Sequence, residues 1–321
     1  MSFGVVIIGL GQIGMGYDLG LPADSYVMTH ARAFHTHPDF ILLGGVDVDD
    51  KRRIIFEAEY GCKAYADIDI ALKNLSPDVV VISIPTEFHL NAVQQVLNAC
   101  SPQAILCEKP LAYELDEAEK IHTLCKEHQC QLLVNYLRRV DPGVLEVKAH
   151  LEKGLIASPV KGVAWYSKGL FNNGSHFFDL LQFWLGDINS FNLIEPGRWL
   201  QNGDFEPDVI VTFENGSIYF LAGQEEHFSL SGIEFISPLG RLKYENGGDL
   251  ISWQQIEASK IHPGYTILSS ESVVMASDLN RAQWYVVDEI AESLRGKDTN
   301  MCKGFEALKV IRWLTQIRNA L

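Results

Sequence analysis

The sequence predicts an α/β protein in two domains, a doubly wound parallel sheet over residues 1–136 and an α+β domain over residues 137–321. Three observations carry this. Up to about residue 136, short β-branched apolar runs alternate with stretches of helical apolar spacing, as in strand–helix–strand units of a parallel sheet. Beyond Asp141-Pro142, which reads as a helix N-cap followed by proline in the first turn, the apolar period changes to two. The 321 residues also exceed what one hydrophobic core usually serves.

In the first domain strands are expected at 4–8, 40–47, 79–84, 104–107 and 131–135, with a weaker one at 63–65. Helical spacing covers 50–60, 67–74, 90–98 and 115–127. The helix opened by Asp141-Pro142 should stop at Gly154, and strands follow at 160–167, 209–213, 217–222, 233–236, 241–244 and 250–256. Asn215-Gly216 is a hairpin signal between two of these. One helix, 175–185, ends at Gly186. Helices at 279–294 and 304–320 close the chain and are candidates to pack back on the first domain. No repeat, linker or low-complexity tract interrupts this order.

Composition narrows the function classes. No apolar run approaches the roughly 18 residues of a membrane span, so a soluble protein is expected. A net charge of −15 repels phosphate backbones and anionic bilayers, which argues against nucleic-acid or membrane partners. The start Met1-Ser2-Phe3-Gly4 runs straight into an apolar strand with no basic leader pattern, and a cytoplasmic location is the expectation. The six cysteines lack CxxC spacing and are expected to be reduced; Cys125, His128 and Cys130 are too few for zinc, so no metal is expected.

Val5-Val6-Ile7-Ile8-Gly9-Leu10-Gly11-Gln12-Ile13-Gly14 is a buried strand entering GxGxxG. The first glycine permits the turn, the second lets backbone approach a pyrophosphate, and the third lets helix and strand pack closely. Amides following the loop point at the phosphates, making Gly9, Gly11, Gln12, Ile13 and Gly14 the expected dinucleotide contacts. Asp47, ending the second strand, suits the adenosine ribose hydroxyls and repels a 2′-phosphate, so NAD is expected over NADP. Lys51, Arg52 and Arg53 weaken that preference, although a charge run is more commonly a solvated helix face. Asp47 follows Gly14 by 33 positions, against a usual spacing of roughly 20. Residues 16–28 therefore read as an inserted loop, either covering a ligand or decorating the surface.

Cys107-Glu108-Lys109-Pro110-Leu111-Ala112 resembles the EKP signature of the Gfo/Idh/MocA oxidoreductases. Residues 79–89, with Pro85 and His89, resemble that family's strand and P-x-x-x-H turn, and Asn135-Tyr136-Leu137-Arg138-Arg139 resembles its segment after the sixth strand. The resemblance implies a Rossmann domain followed by an α+β domain with an open, mostly antiparallel sheet. It implies hydride transfer between nicotinamide and a sugar, cyclitol or nucleotide-linked sugar, and a homodimer or homotetramer formed through the C-terminal sheet. Ile84, Pro85, Thr86, His89, Glu108, Lys109 and Asn135 join the expected cofactor contacts, all near carboxyl ends of predicted parallel strands, where open α/β sheets bind ligands.

Oxidising a carbinol needs a group that accepts the hydroxyl proton near neutral pH. Lys109 and His176 are the candidates. The resemblance places the EKP lysine at the reacting oxygen, and the histidine of a D-x-G-x-H-x-x-D pattern as acid or base. Here that pattern reads Asn172-Asn173-Gly174-Ser175-His176-Phe177-Phe178-Asp179. Asn172 can hold a substrate hydroxyl but cannot take its proton, and it resembles the relatives that oxidise nucleotide-linked sugars. Arg138, Lys168 and Asp179 are candidate substrate contacts, with Arg198 a further cation for an anionic group. The alternatives on the same fold are a catalytically silent NAD-binding regulator and an NAD-dependent glycosidase.

Overall fold

Strand pairing organises the chain into two sheets, seen in a computed structural model that describes residues 2–223, 225 and 227–321. Two units result: the chain up to Val140 with Asn280–Arg312, and Asp141–Leu279 with Trp313–Leu321. The sequence-based boundary at 136 thus differs from the observed division at Val140, and residues 280–312 return to the first unit.

In the first unit, β1 (Phe3–Ile8) leads to α1 (His30–Thr36), β2 (Phe40–Val46), α2 (Asp50–Tyr60), β3 (Ala64–Tyr65) and α3 (Ile68–Leu75). β4 (Val79–Ile82), α4 (His89–Ala99), β5 (Ala104–Cys107), α5 (Leu115–Glu127) and β6 (Gln131–Val134) follow. β4 and β5 are buried along their whole length, as strands covered by helices on both faces must be. The strand order changes direction between the neighbours β1 and β4, the position where such sheets open a ligand crevice.

The second unit starts with α6 (Pro142–Glu152), capped by the Asp141 carboxylate on Gly143 N and Val144 N. Then come β7 (Val160–Tyr166), α7 (Ser175–Leu185), β8 (Ile188–Trp199), β9 (Phe205–Phe213), β10 (Gly216–Ala222), β11 (Ser231–Ser237) and β12 (Gly240–Glu245). β13 (Leu250–Ala258), β14 (Thr266–Leu268) and β15 (Val273–Met275) complete it. The sheet runs β14-β13-β12-β11-β7-β10-β9-β8, with β15 also on β13, and among the described residues only β10 and β7 pair in parallel. Its inner face packs on α7, where Phe178 meets Phe220 and Trp184 meets Phe235 and Tyr244.

The chain then returns to the first unit. α8 (Ala282–Leu294) buries Val286, Val287, Ile290 and Ala291 in the same core as Val5, Ile7, Phe34 and Phe40, which is why residues 280–312 belong there. The short β16 (Cys302–Lys303) pairs antiparallel with β6 and extends the parallel sheet by one strand. α9 (Gly304–Asn319) closes the chain.

Four strands, β8, β14, β15 and β16, depart from the sequence reading. β8 was not expected, because its register slips three times against β9 and Pro196-Gly197 lies within it, erasing the two-residue period. After the glycine loop comes a single turn, Gln12–Gly16, and regular helix resumes at His30, beyond the inserted loop that the sequence reading placed at 16–28. No helix among the described residues is long and apolar enough to cross a membrane.

Candidate active site

The three glycines of the first turn are required for different reasons. Gly9 has φ +98°, and a Cβ there would lie 2.4 Å from Ser83 O. A Cβ on Gly14 would lie 2.1 Å from Gly9 O, so strand and turn pack too closely for a side chain. At Gly11 the nearest atom to such a Cβ is the Arg52 guanidinium, at 3.8 Å. Nothing in the protein's own packing requires glycine at Gly11, which fits a backbone kept bare for a ligand. Gln12 is exposed and Ile13 half-buried on the same turn. Ser83, not expected as a contributor, donates to Gly9 O at 2.8 Å and to Ile8 O at 3.1 Å and so fixes the turn from β4.

Asp47, 7% exposed, accepts from Leu10 N at 2.8 Å and Asp49 N at 2.9 Å, bridging the glycine loop and the start of α2. The three basic residues after it separate in role. Arg52, half exposed, lies 3.4 Å from the Asp47 carboxylate and beside Gly11. Arg53 donates to the carbonyls of Asp47 and Val48. Lys51 is exposed.

The inserted loop is tied back by a buried carboxylate. Asp18 accepts from Met28 N, Thr29 N and Thr29 Oγ1 at 2.7, 3.0 and 2.8 Å, and faces Arg32 at 3.7 Å. Arg32 in turn donates to Leu21 O and Tyr26 O. Val27 exchanges backbone hydrogen bonds with Asn280 and Gln283. These contacts fix Thr29 as the N-cap of α1 and hence the place of His30.

Glu108 and Asn135 stand one residue beyond β5 and β6. Glu108 Oε1 accepts from Asn135 Nδ2 at 2.7 Å and lies 2.8 Å from His30 Nε2, which must be the donor because an ionised carboxylate only accepts. Burial pushes the Glu108 carboxyl up, but His30, Asn135 and the Lys109 charge together outweigh it and hold it below its ordinary value. Lys109 N approaches Glu108 Oε2 at 3.3 Å, and the Lys109 side chain is half-buried. Ile84 is half-buried, Pro85 exposed and Thr86 buried at the neighbouring end of β4.

His89 departs from its expected place among the cofactor contacts. It is fully buried, with Nδ1 3.1 Å from Leu111 O and Nε2 3.0 Å from Ile84 O. Burial pushes its pKa down against the pull of these carbonyls. With both nitrogens turned to backbone, His89 ties the Pro85 turn to the segment after Lys109.

In the second unit, Asn172 lies on a turn, Leu170–Gly174, that runs directly into α7 and its His176 and Asp179. His176 is 8% and Asp179 1% exposed. Asp204, which the sequence reading missed, accepts from Phe171 N at 3.1 Å and Phe205 N at 2.8 Å through Oδ1, and from Asn172 N at 2.9 Å through Oδ2. Burial raises its pKa against these amides. Glu206 accepts from Gly169 N and pairs with Arg198 at 2.8 Å, so Arg198 already serves a buried carboxylate. Lys168 is exposed and has φ +64°. Tyr166 and Phe171 are core, whereas Trp165 and Trp199 face outward. Arg138 is half-buried in a turn of the first unit, beside Arg139, which is bonded to Glu306 at 2.8 Å.

This geometry defines the first unit as a Rossmann domain of the NAD-binding kind, and residues 3–136 match the Gfo/Idh/MocA model, an oxidoreductase family with an NAD-binding Rossmann fold. The first domain is thus similar to the Gfo/Idh/MocA family over residues 3–136. The chain is 28% identical over 183 residues to the uncharacterised oxidoreductase YrbE of Bacillus subtilis, covering 50% of this chain and 52% of that protein. It is 27% identical over 173 residues to an inositol 2-dehydrogenase of Rhizobium meliloti, covering 49% and 51%. The chain thus matches about half the length of these curated relatives. The whole fold is shared with the UDP-N-acetylglucosamine 3-dehydrogenase GnnA of Acidithiobacillus ferrooxidans, with a TM-score of 0.77 at 16% identity over 100% of this chain and 98% of that one.

Proposed function

We propose that the protein is an NAD(P)-dependent dehydrogenase or reductase acting on a hydroxyl or keto group of a sugar, cyclitol or nucleotide-linked sugar. The observation that carries the reading is the bare backbone at Gly11, set between Asp47 and the turn held by Ser83, in the same sheet whose β5 and β6 ends present Glu108, Lys109 and Asn135. NAD is the preferred cofactor: the Asp47 carboxylate suits ribose hydroxyls and opposes a 2′-phosphate, while Arg52 beside it leaves NADP as the weaker alternative.

A bound nicotinamide supplies the hydride acceptor or donor. The chain's residues bind, orient and move the proton. Lys109 holds the reacting oxygen, and its ammonium is disfavoured beside a cationic ring, which suits proton exchange. His176 is the acid or base, Asp179 orients it from one helical turn away, and Asn172 holds a substrate hydroxyl without exchanging its proton. Arg138 and Lys168 contact the substrate. Similarity to an inositol dehydrogenase supports a cyclitol or sugar, and Asn172 supports the nucleotide-linked class.

The protein is further assigned to the cytoplasm and to a homodimer or homotetramer. The outer face of the second unit's sheet carries Trp165 and Ile236, 42% and 50% exposed, a surface suited to a second copy. Light scattering on the purified chain reads the oligomeric state.

The test of function is NADH absorbance on mixing protein and NAD with cyclitols, free sugars and nucleotide-linked sugars. Turnover with one class, abolished in Lys109→Ala while NAD still binds, is the expected result. Undiminished turnover in Lys109→Ala overturns the assignment. Aglycone release without net NADH identifies a glycosidase, and NAD binding without any turnover favours a regulator.

A further inference from the structure

His30 has no role in the reading above, yet it is the first residue of α1, fully buried, and hydrogen-bonded to Glu108. We infer that His30 is a positioning residue for the nicotinamide half of the cofactor, holding the Glu108–Asn135 pair in place; the inference rests on the proposed cofactor site.

The placement is over-determined. Asp18 grips Met28 and Thr29, Thr29 caps α1, and Val27 is bonded to residues of the α8 segment, so the insertion that breaks the helix after Gly14 delivers His30 to one fixed point. There Nε2–H is committed to Glu108 Oε1, the same oxygen that accepts from Asn135. Both partners keep a second polar atom that is buried and has no hydrogen-bond partner among the described residues: His30 Nδ1 and Asn135 Oδ1. A buried polar atom left unpaired is costly, and two beside one carboxylate mark a place that a polar ligand completes. The nicotinamide carboxamide both donates and accepts, so it could pair with Asn135 Oδ1, and with His30 Nδ1 in either protonation state. The adenosine end has its own anchors at Gly11 and Asp47. His30 therefore acts on one half of the cofactor only.

The experiment compares binding of NADH with binding of ADP-ribose, which lacks the nicotinamide. In His30→Leu the dissociation constant for NADH rises roughly tenfold or more, while that for ADP-ribose stays within about twofold. His30→Gln, whose amide can reach Glu108 as Nε2 does, recovers NADH binding to within about threefold of the unmodified protein. A folded His30→Leu that binds NADH normally, or that loses both ligands in parallel, overturns the inference. Should His30→Leu not fold, His30→Phe, which keeps a ring in that volume, carries the test: selective loss of NADH supports the inference, and unchanged binding or parallel loss overturns it. Unmodified protein that binds neither ligand refutes the cofactor site itself, a result distinct from failure of the His30 role.

Discussion

Asp47 and Leu10 are joined by a 2.8 Å hydrogen bond from backbone amide to carboxylate, across 37 positions of sequence. The residue expected to select the cofactor therefore also braces the loop that binds it. Asp47→Ser keeps an acceptor for Leu10 N and removes the nearer charge, leaving Arg52 beside Gly11 with Asp49, at 3.7 Å, as its remaining carboxylate partner. The ratio of NADP to NAD affinity should rise about tenfold or more, and fall back in Asp47→Ser/Arg52→Ala. Fluorescence titration with both reduced cofactors reads this. An unchanged ratio places the 2′ position elsewhere.

Gly11 and Gly14 should respond oppositely to alanine. Gly14→Ala drives a methyl to 2.1 Å from Gly9 O and should cost about 3 kcal/mol of stability, seen in urea unfolding. Gly11→Ala meets only the far end of Arg52 at 3.8 Å, so melting should barely change while NADH affinity falls about tenfold or more. A Gly11→Ala protein that binds NADH normally removes the loop from the cofactor site.

The turn carrying Asn172 depends on Asp204. Asp204→Asn replaces one acceptor oxygen by an amide that cannot accept from a backbone N–H, so one of the bonds to Phe171 N, Phe205 N and Asn172 N set is lost or reversed. Stability should fall by about 2 kcal/mol, and turnover should drop with NADH binding retained. Retained turnover separates this turn from catalysis.

Acid sensitivity should report on Glu108. Its carboxyl is held below its ordinary value of 4.5, so its contribution to stability is fully present above pH 4.5 and is lost as pH falls through the lower folded value. The stability difference between the unmodified protein and Glu108→Gln should therefore shrink below pH 4.5. A difference that is flat or grows toward acid contradicts an ionised, hydrogen-bonded Glu108.

Much of the first unit was legible because buried parallel strands leave an unmistakable mark. Val79-Val80-Val81-Ile82 and Ala104-Ile105-Leu106-Cys107 can be little else, and the glycines are dictated by backbone geometry at Gly9 and close packing at Gly14. β8 left no such mark, since an edge strand with slipped register and one exposed face loses the two-residue period. The site residues divide similarly. Lys109 and Glu108 were readable as a local motif following a strand. His30 and Asp204 were not, because each acts on residues more than 30 positions away, and no local pattern records a bond of that span.

By itself the sequence determined the alternation of strands and helices in the first domain, the glycine turn, and the short motifs at strand ends, all of which depend on residues near one another in the chain. Only the tertiary structure decided that residues 280–312 rejoin the first unit, that Arg52 rather than Lys51 or Arg53 faces Asp47, and that His89 binds backbone while His30 takes the carboxylate of Glu108. Those outcomes turn on which distant groups share a buried volume, where each polar atom must find a partner, and that is a property of packing rather than of local sequence.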